Sequence, residues 1–277
     1  MQALLTEPFL VSLLFGAYTG FVAAYYTDSF NLGFLAGGLG GMAVALFVVL
    51  FCIRFGLNQI VIGIALTIGV EGLTALLHFF QFSRTYPRLS AAPVVALPLL
   101  DQIPVLGKGL FSHNIVVYLA VLLVIGLGWL FRRTYIGLNL EAAGNKPAAL
   151  DAAGVDVIRT RSLAVLATGF LAGVGGAYMA NVGAGLFVPF MTGGAGFIGI
   201  VLAMLARGRP VWVLLGAALF GVSLALTTAL QVAGINIPTD VVQMLPFAMV
   251  MLVLVIFARH SVLPPALGLP YVRGDRG

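Results

Sequence analysis

Charge is scarce in this chain: Asp, Glu, Lys and Arg make up 8% of its 277 residues, where an ordinary soluble domain carries about a quarter. That scarcity, with 61% hydrophobic residues, excludes a water-soluble fold. Cysteine is scarcer still. Cys52 is the only one, which excludes an internal disulfide and any multi-cysteine metal site, and its apolar setting beside Ile53 makes it a packing residue. Histidine is limited to His78, His113 and His260. No His-Glu-x-x-His motif or Gly-x-Ser-x-Gly elbow accompanies them, so a hydrolase or metalloenzyme has no support. No period of about 20 to 50 residues recurs, which excludes a solenoid. The first apolar stretch is followed by Tyr25, Tyr26 and Asp28 rather than a small-residue cleavage site, so it is expected to stay as a span.

Long apolar runs are what the chain has. A bilayer crossing takes about 20 mostly apolar residues, and apolar windows read against breakers predict eight spans: 9–26, 32–53, 57–80, 114–131, 162–180, 197–206, 211–230 and 241–258. The sixth is too short to cross alone. Gly193, Gly194, Ala195 and Gly196 just before it predict a broken or re-entrant segment, tolerated at membrane depth only where protein or water satisfies the freed backbone groups. The expected fold class is therefore all-α, a polytopic membrane protein forming a single transmembrane domain over residues 1–277.

The fourteen Lys and Arg residues orient these spans. Arg54, Arg132, Arg133, Lys146, Arg159, Arg161, Arg207, Arg209, Arg259, Arg273 and Arg276 fall on one side, and Arg84, Arg88 and Lys108 on the other. The positive-inside bias makes the first side cytoplasmic, both termini included. The net charge of +5 is thus a topology signal and not a nucleic-acid surface. An external loop at 81–113, a cytoplasmic loop at 132–161 and a cytoplasmic tail at 259–277 follow. Pro87, Pro93, Pro98 and Pro104 predict that the external loop lies against the outer face as extended or short helical pieces.

The cytoplasmic loop is rich in Ala and Gly but too polar to enter lipid. Asn145 is predicted to N-cap a short helix that takes Pro147 in its first turn. Ala148 to Ala153 favour helix, and Gly154 is placed to end it. A two-turn helix of small side chains makes a thin knob that fits a cleft on another protein, and Gly144 and Gly154 let it change angle. The plainer alternative is an ordinary interhelical loop.

The run Ala143, Gly144, Asn145, Lys146, Pro147, Ala148, Ala149, then Ala152, Ala153, Gly154 and Val155, then Arg161, Ser162 and a helix bearing Gly169, Gly173 and Gly176, resembles a known family. It is similar to the membrane-spanning permease subunits of bacterial ATP-binding-cassette (ABC) importers of the branched-chain amino acid, ribose and nucleoside branch, nearest to the simple-sugar and nucleoside group. Asn58, Gln59 and Gly63, the glycine run before Phe197, Gly208 to Pro210, Met244 to Phe247, and Pro265 to Tyr271 continue the resemblance over residues 31–271.

The resemblance implies a transport subunit without catalysis of its own. It binds no cofactor, and a partner ATPase uses the ATP. Cytoplasmic ATPase subunits would grip the short helix, with Glu141, Gly144, Asn145, Pro147, Ala148, Ala149 and Gly154 as coupling residues. A second permease subunit, related or identical, would complete the path. An extracytoplasmic solute-binding protein would deliver the solute near 81–113 and 183–193, all at a bacterial inner membrane. The chain departs from the family pattern at Glu141, where a basic residue is usual, and at Asn145 and Lys146, where Glu-Asn usually precedes the proline. The stretch from Leu4 to Ser12 lacks the usual Asn-Leu-Gly-Leu-Glu-Gly-type opening with a helix before it. Two alternatives stay open there, a truncated start or a homologue without that helix.

Candidate path residues are few. Glu71 is the one strongly acidic position inside the spans, and His78, seven residues on, shares its helix face. Intramembrane ionisable groups are costly and face protein or water, so the two form a candidate path-lining pair; the alternative is a structural hydrogen bond between helices. Asn58 and Gln59 lie at the cytoplasmic mouth of the same helix, where they either line the path or satisfy the helix start. Asn181 ends the fifth span, and Gln231, Asn236 and Gln243 border the outer end of the last two. Uncharged amides suit a polar neutral solute better than an ion, which favours a sugar or nucleoside. Phe79, Phe80, Phe82, Phe187 and Phe190 either stack on a solute ring or face core and lipid. Gly33, Gly37 and Gly41, and again Gly169 and Gly173, predict smooth faces for close helix packing. Two other functions remain in view, a branched-chain amino acid importer permease and an ion-coupled secondary transporter that uses Glu71.

Overall fold

A computed structural model describes residues 3–93, 95–96, 112–206 and 209–232, together with residues 244, 248 and 251. Nine helices are described: α1 (Ala3–Thr27), α2 (Phe30–Val48), α3 (Gln59–Phe82), α4 (Ile115–Arg133), α5 (Tyr135–Asn145), α6 (Pro147–Ala152), α7 (Val157–Tyr178), α8 (Ala195–Leu205) and α9 (Pro210–Val232). π-helical turns extend α2 over Val49–Arg54 and α7 over Met179–Ala184. Apart from one antiparallel pairing of Val95–Ala96 with Ser112–His113, the described residues contain no strand.

Five segments are long and apolar enough to cross a bilayer: Phe9–Thr27, Phe30–Arg54, Gln59–Phe82, Ile115–Arg133 and Val157–Ala184. They match the first five expected spans, with small shifts at the ends. The fifth starts five residues before the expected 162 because Asp156 caps it, its carboxylate accepting from the Arg159 amide at 3.0 Å. α9 contains a shorter apolar stretch, Pro210–Leu226. α8 has 11 residues, which at about 1.5 Å per residue falls well short of a hydrocarbon core about 30 Å thick. The expected eighth span, 241–258, lies outside the described residues except for Met244, Ala248 and Met251, which are helical. The tail at 259–277, and with it His260, lies outside them, as do residues 94 and 97–111 of the expected external loop.

Glycines set the packing of α1, α2 and α7. Gly16 and Gly20 of α1 lie against Gly173 and Ala177 of α7, so these two helices run parallel, while Gly37 and Gly41 of α2 meet Gly173 and Gly169 in the antiparallel sense. A Cβ at Gly37 would sit 2.6 Å from the Ala177 Cβ and 2.8 Å from the Gly16 carbonyl oxygen. One at Gly173 would collide with the Gly37 carbonyl, and one at Gly176 with that of Leu13. In lipid, helices gain nothing by hiding apolar surface from each other, so association rests on close contact of this kind. The expected faces at Gly33, Gly37, Gly41, Gly169 and Gly173 are therefore parts of one three-helix seam, to which α1 adds Gly16 and Gly20. α3 packs parallel to α1, and the buried cluster between them joins Leu14, Ala17, Tyr18, Phe21 and Phe82 to Ala180 and Phe187.

A helical corner and an intramembrane polar cluster

The connection from α4 to α7 is a built structure. Thr134 turns the chain, its hydroxyl accepting from the Gly137 amide at 3.2 Å and donating to the Leu130 carbonyl at 2.7 Å. Gly137 lies directly on the Leu130 backbone, where a side chain would not fit. The 11 residues of α5 then run to Asn145. Their helix formers, Leu138, Leu140, Glu141, Ala142 and Ala143, carry it that far. It stops because Pro147 has no N–H and disfavours the helical conformation for the residue before it. Lys146 accordingly takes φ −144° and ψ 73°.

Asn145 therefore closes α5 and does not cap α6, contrary to expectation. The N-cap of α6 is Lys146, which makes no side-chain capping bond. Pro147 does open the short helix, and Gly154, at φ +82°, does turn the chain out of it. That left-handed value suits glycine best, because it has no Cβ to clash. The turn is closed by the Gly154 amide on Asp151 O at 2.9 Å and the Val155 amide on Leu150 O at 3.2 Å.

The corner has a back and a front. Leu150 packs with Ala143 and Val157 in a small buried cluster flanked by Ala142 and Val155. The Arg161 guanidinium donates to the Ala143 carbonyl from Nε at 3.2 Å and from Nη2 at 3.0 Å. On the front, Glu141, Asn145, Ala148, Ala149 and Gly154 are exposed, while Gly144 and Pro147 are half-buried. The coupling residues predicted from sequence thus fall in one continuous corner, spread over α5, α6 and the turn after it.

The path candidates are scattered by comparison. Asn58 is exposed and caps α3, its side chain accepting from the Ile60 amide at 2.9 Å, with Gln59 half-buried beside it. Glu71 is half-buried and makes no side-chain hydrogen bond or ion pair among the described residues. It does not meet His78, which lies two turns further along α3, about 10 Å at 1.5 Å per residue.

His78 is buried at 3% exposure. Its ring centroid lies 5.3, 5.2 and 5.7 Å from those of Phe82, Tyr86 and Phe187, and its Nε2 has no hydrogen-bond partner among the described residues. Asn181, in the π turn after α7, is 1% exposed. It donates from Nδ2 to the Gly20 carbonyl at 3.3 Å, and its Oδ1 is buried without a partner among the described residues. The neighbours of the two meet in one cluster, since Ala180 and Phe82 both pack in it with Phe187.

Of the aromatics, Phe82 and Phe187 are in the core, whereas Phe79, Phe80 and Phe190 are exposed. A polar chain missed in the sequence runs beside them. The Tyr18 hydroxyl donates to Gln81 Oε1 at 2.8 Å, and Gln81 Nε2 donates to the Tyr26 hydroxyl at 3.3 Å. Its one sequence signal is Gln81 three residues after His78, on a neighbouring face of α3. Gln231, Asn236 and Gln243 yield no side-chain description, because 236 and 243 lie outside the described residues and the surroundings of 231 do as well.

After the π turn the chain retraces α1, first as non-helical backbone and then as the start of α8. Phe187 packs on Tyr18 and Phe21, Gly196 lies against Leu10, and Gly199 lies against Phe9. Gly193 and Gly194 take left-handed conformations at φ +43° and +82° just before α8. The stretch is held from the side by the Leu89 amide on the Gly185 carbonyl at 2.8 Å. Within it Phe187 and Thr192 are buried, while Val188, Phe190 and Gly193 are exposed.

Apolar spans sealed by glycines, with a helical corner at one end, define a multi-pass helical membrane protein. Within that class, the chain belongs to the family described as branched-chain amino acid transport system, permease component, whose profile matches residues 11–254. Over 213 residues it is 35% identical to a Haloferax volcanii protein named, provisionally, as a glucose ABC transporter permease, a match covering 76% of this chain and 64% of that one. It is 34% identical over 181 residues to a nucleoside ABC transporter permease of Lactococcus lactis, covering 64% of this chain and 57% of the relative. A guanosine ABC transporter permease of Bacillus subtilis is 29% identical over 275 residues, covering 96% and 83%. The chain thus spans under two thirds of the length of the first two relatives. No solved structure matches it.

Proposed function

We propose that this chain is the membrane-spanning permease subunit of an ABC importer and forms the path for a polar neutral solute, a nucleoside or simple sugar. The family membership and the solutes named for its relatives support that reading. The observation that carries it is the corner: α6 presents bare Ala148 and Ala149 outward while Leu150 and Arg161 hold its back. A lone interhelical loop has no use for such a mount; a docking knob does.

In this reading the chain is one permease domain of eight spans, the sixth a broken one that ends in α8. It sits in a bacterial inner membrane with both termini and the corner cytoplasmic, as the basic residues dictate. Separate ATPase subunits grip the corner through Glu141, Gly144, Asn145, Pro147, Ala148, Ala149 and Gly154. The chain binds no cofactor and hydrolyses no ATP. A second permease subunit completes the path, and an extracytoplasmic binding protein delivers the solute. Nucleotide-driven closure of the ATPases tilts the spans between two arrangements and so switches access. Asn58, Gln59, Glu71, His78 and Asn181 are the path residues, with the buried, partnerless His78 Nε2 and Asn181 Oδ1 offering hydrogen bonds to hydroxyls or a base edge.

Ala149→Arg tests the docking role. The bulky cation on the front of α6 is expected to abolish ATPase association while the spans stay folded, read by copurification and by thermal melting of the detergent-solubilised chain. Unaltered copurification contradicts it.

A further inference from the structure

The proline turn before α6 deprives one carbonyl of its helical donor. In a continuing helix the Ala143 carbonyl would accept from the amide of residue 147, and Pro147 has none. Arg161 supplies the substitute with two donors, Nε and Nη2, on that single oxygen. The site favours a cation twice over: the carbonyl lies in the last turn of α5, at the negative end of the helix, and a charged donor strengthens the bond. Ala143 is 3% exposed and Arg161 half-buried, so the bond is partly shielded from water.

The position of Arg161 gives this bond a consequence. α6 joins α7 through only Ala153 to Asp156, and Gly154 at φ +82° sits in that joint as a pivot. Arg161, in the second turn of α7, bridges across the pivot to α5. α7 then continues through Gly169, Gly173 and Gly176, where it touches α1 and α2, to the π turn that holds Asn181.

We propose that Arg161 is the positioning residue that makes the α5–α6 corner and α7 move as one body, so that a displacement applied to α6 reaches the three-helix seam. Without it only the Leu150, Ala143 and Val157 packing and the turn bonds tie the corner to α7, and more of the displacement is absorbed at Gly154. This inference rests on the importer reading above and names the link through which that importer is coupled.

The test uses the full transporter complex in proteoliposomes, with Arg161→Met, which keeps the apolar stem without the guanidinium, and Arg161→Lys, which keeps a charged donor. R161M is expected to bring down the ATPase in wild-type amounts and to hydrolyse ATP at close to the wild-type rate. Its solute uptake per ATP is expected to fall by roughly tenfold or more, the effect of losing charge-assisted bonding at the guanidinium, and R161K is expected to recover part of it. Unchanged solute per ATP in R161M overturns the proposal. So does a proportional fall of uptake and hydrolysis, a failure of R161M to hold the ATPase, or an equal loss in R161K. If the wild type itself retains no ATPase, the importer reading fails first and this link with it. If the wild type couples and R161M couples equally well, the Arg161 role alone fails.

Discussion

The Asn181 side chain donates to the backbone carbonyl of Gly20 across 161 positions of sequence, at 3.3 Å. The bond lies against α2 as well, for a Cβ on Gly33 would lie 2.8 Å from the same Asn181 nitrogen. The fifth span therefore carries a polar clamp at one end and, through Arg161, a second clamp at the other.

Asn181→Ala removes the first clamp. A buried neutral hydrogen bond contributes about 1 kcal/mol, and between membrane helices nearer 0.6, so the detergent-solubilised chain is expected to melt only a few degrees lower. If Asn181 lines the path as proposed, uptake by the assembled transporter is expected to fall much further, because its Oδ1 is lost as well. A large drop in melting temperature with uptake intact would make Asn181 a structural residue alone.

The glycine seam makes a sharp contrast between two similar substitutions. Gly173→Ala forces a methyl group into the Gly37 carbonyl and is expected to cost about 1 to 3 kcal/mol, as overpacking does. Gly72→Ala on α3 meets nothing within 4 Å and is expected to be neutral or slightly stabilising, since alanine is the better helix former. Thermal melts of the two variants side by side check this, and equal effects would contradict the seam.

His78→Phe separates packing from recognition. Phenylalanine preserves the ring contacts with Phe82, Tyr86 and Phe187 and removes a buried nitrogen without a partner among the described residues. The variant is expected to be as stable as the wild type or more so, yet to lose most of its uptake. Full uptake would leave His78 a core residue only.

Glu71→Gln discriminates between energy sources. In an ATP-driven importer the half-buried carboxylate carries no coupling ion, so the variant is expected to keep most of its uptake and the wild type to ignore a collapsed proton gradient. Uptake lost in both cases would instead mark Glu71 as a coupling site.

Elements governed by local chemistry were readable from the sequence. The first five spans follow from apolar run length, α6 from Pro147 and Gly154, and the seam from glycines at helical spacing. What was missed depends on distant partners. Arg161 counts in sequence as one more cytoplasmic charge, and only the fold shows that it serves the carbonyl that Pro147 cannot. Asn145 looked like a cap because α5 reads as loop: its run Tyr135 to Asn145 is too polar for a span and too short for a clear period. The pairing of Tyr18 with Gln81 joins residues 63 positions apart, and neither carries a local sign of the other. His78 and Glu71 share a helix face, but the burial of the one and the partial exposure of the other depend on the helices packed around α3.

The most direct measurement is copurification of the chain from membranes after expression with its genomic neighbours, followed by ATPase assays with nucleosides, pentoses and branched-chain amino acids. The expected result is recovery of an ATPase subunit whose turnover is stimulated by a nucleoside or a sugar and abolished by Ala149→Arg. A chain that purifies alone, or whose associated ATPase ignores both the solutes and the α6 substitution, would contradict its role as the permease of an ABC importer.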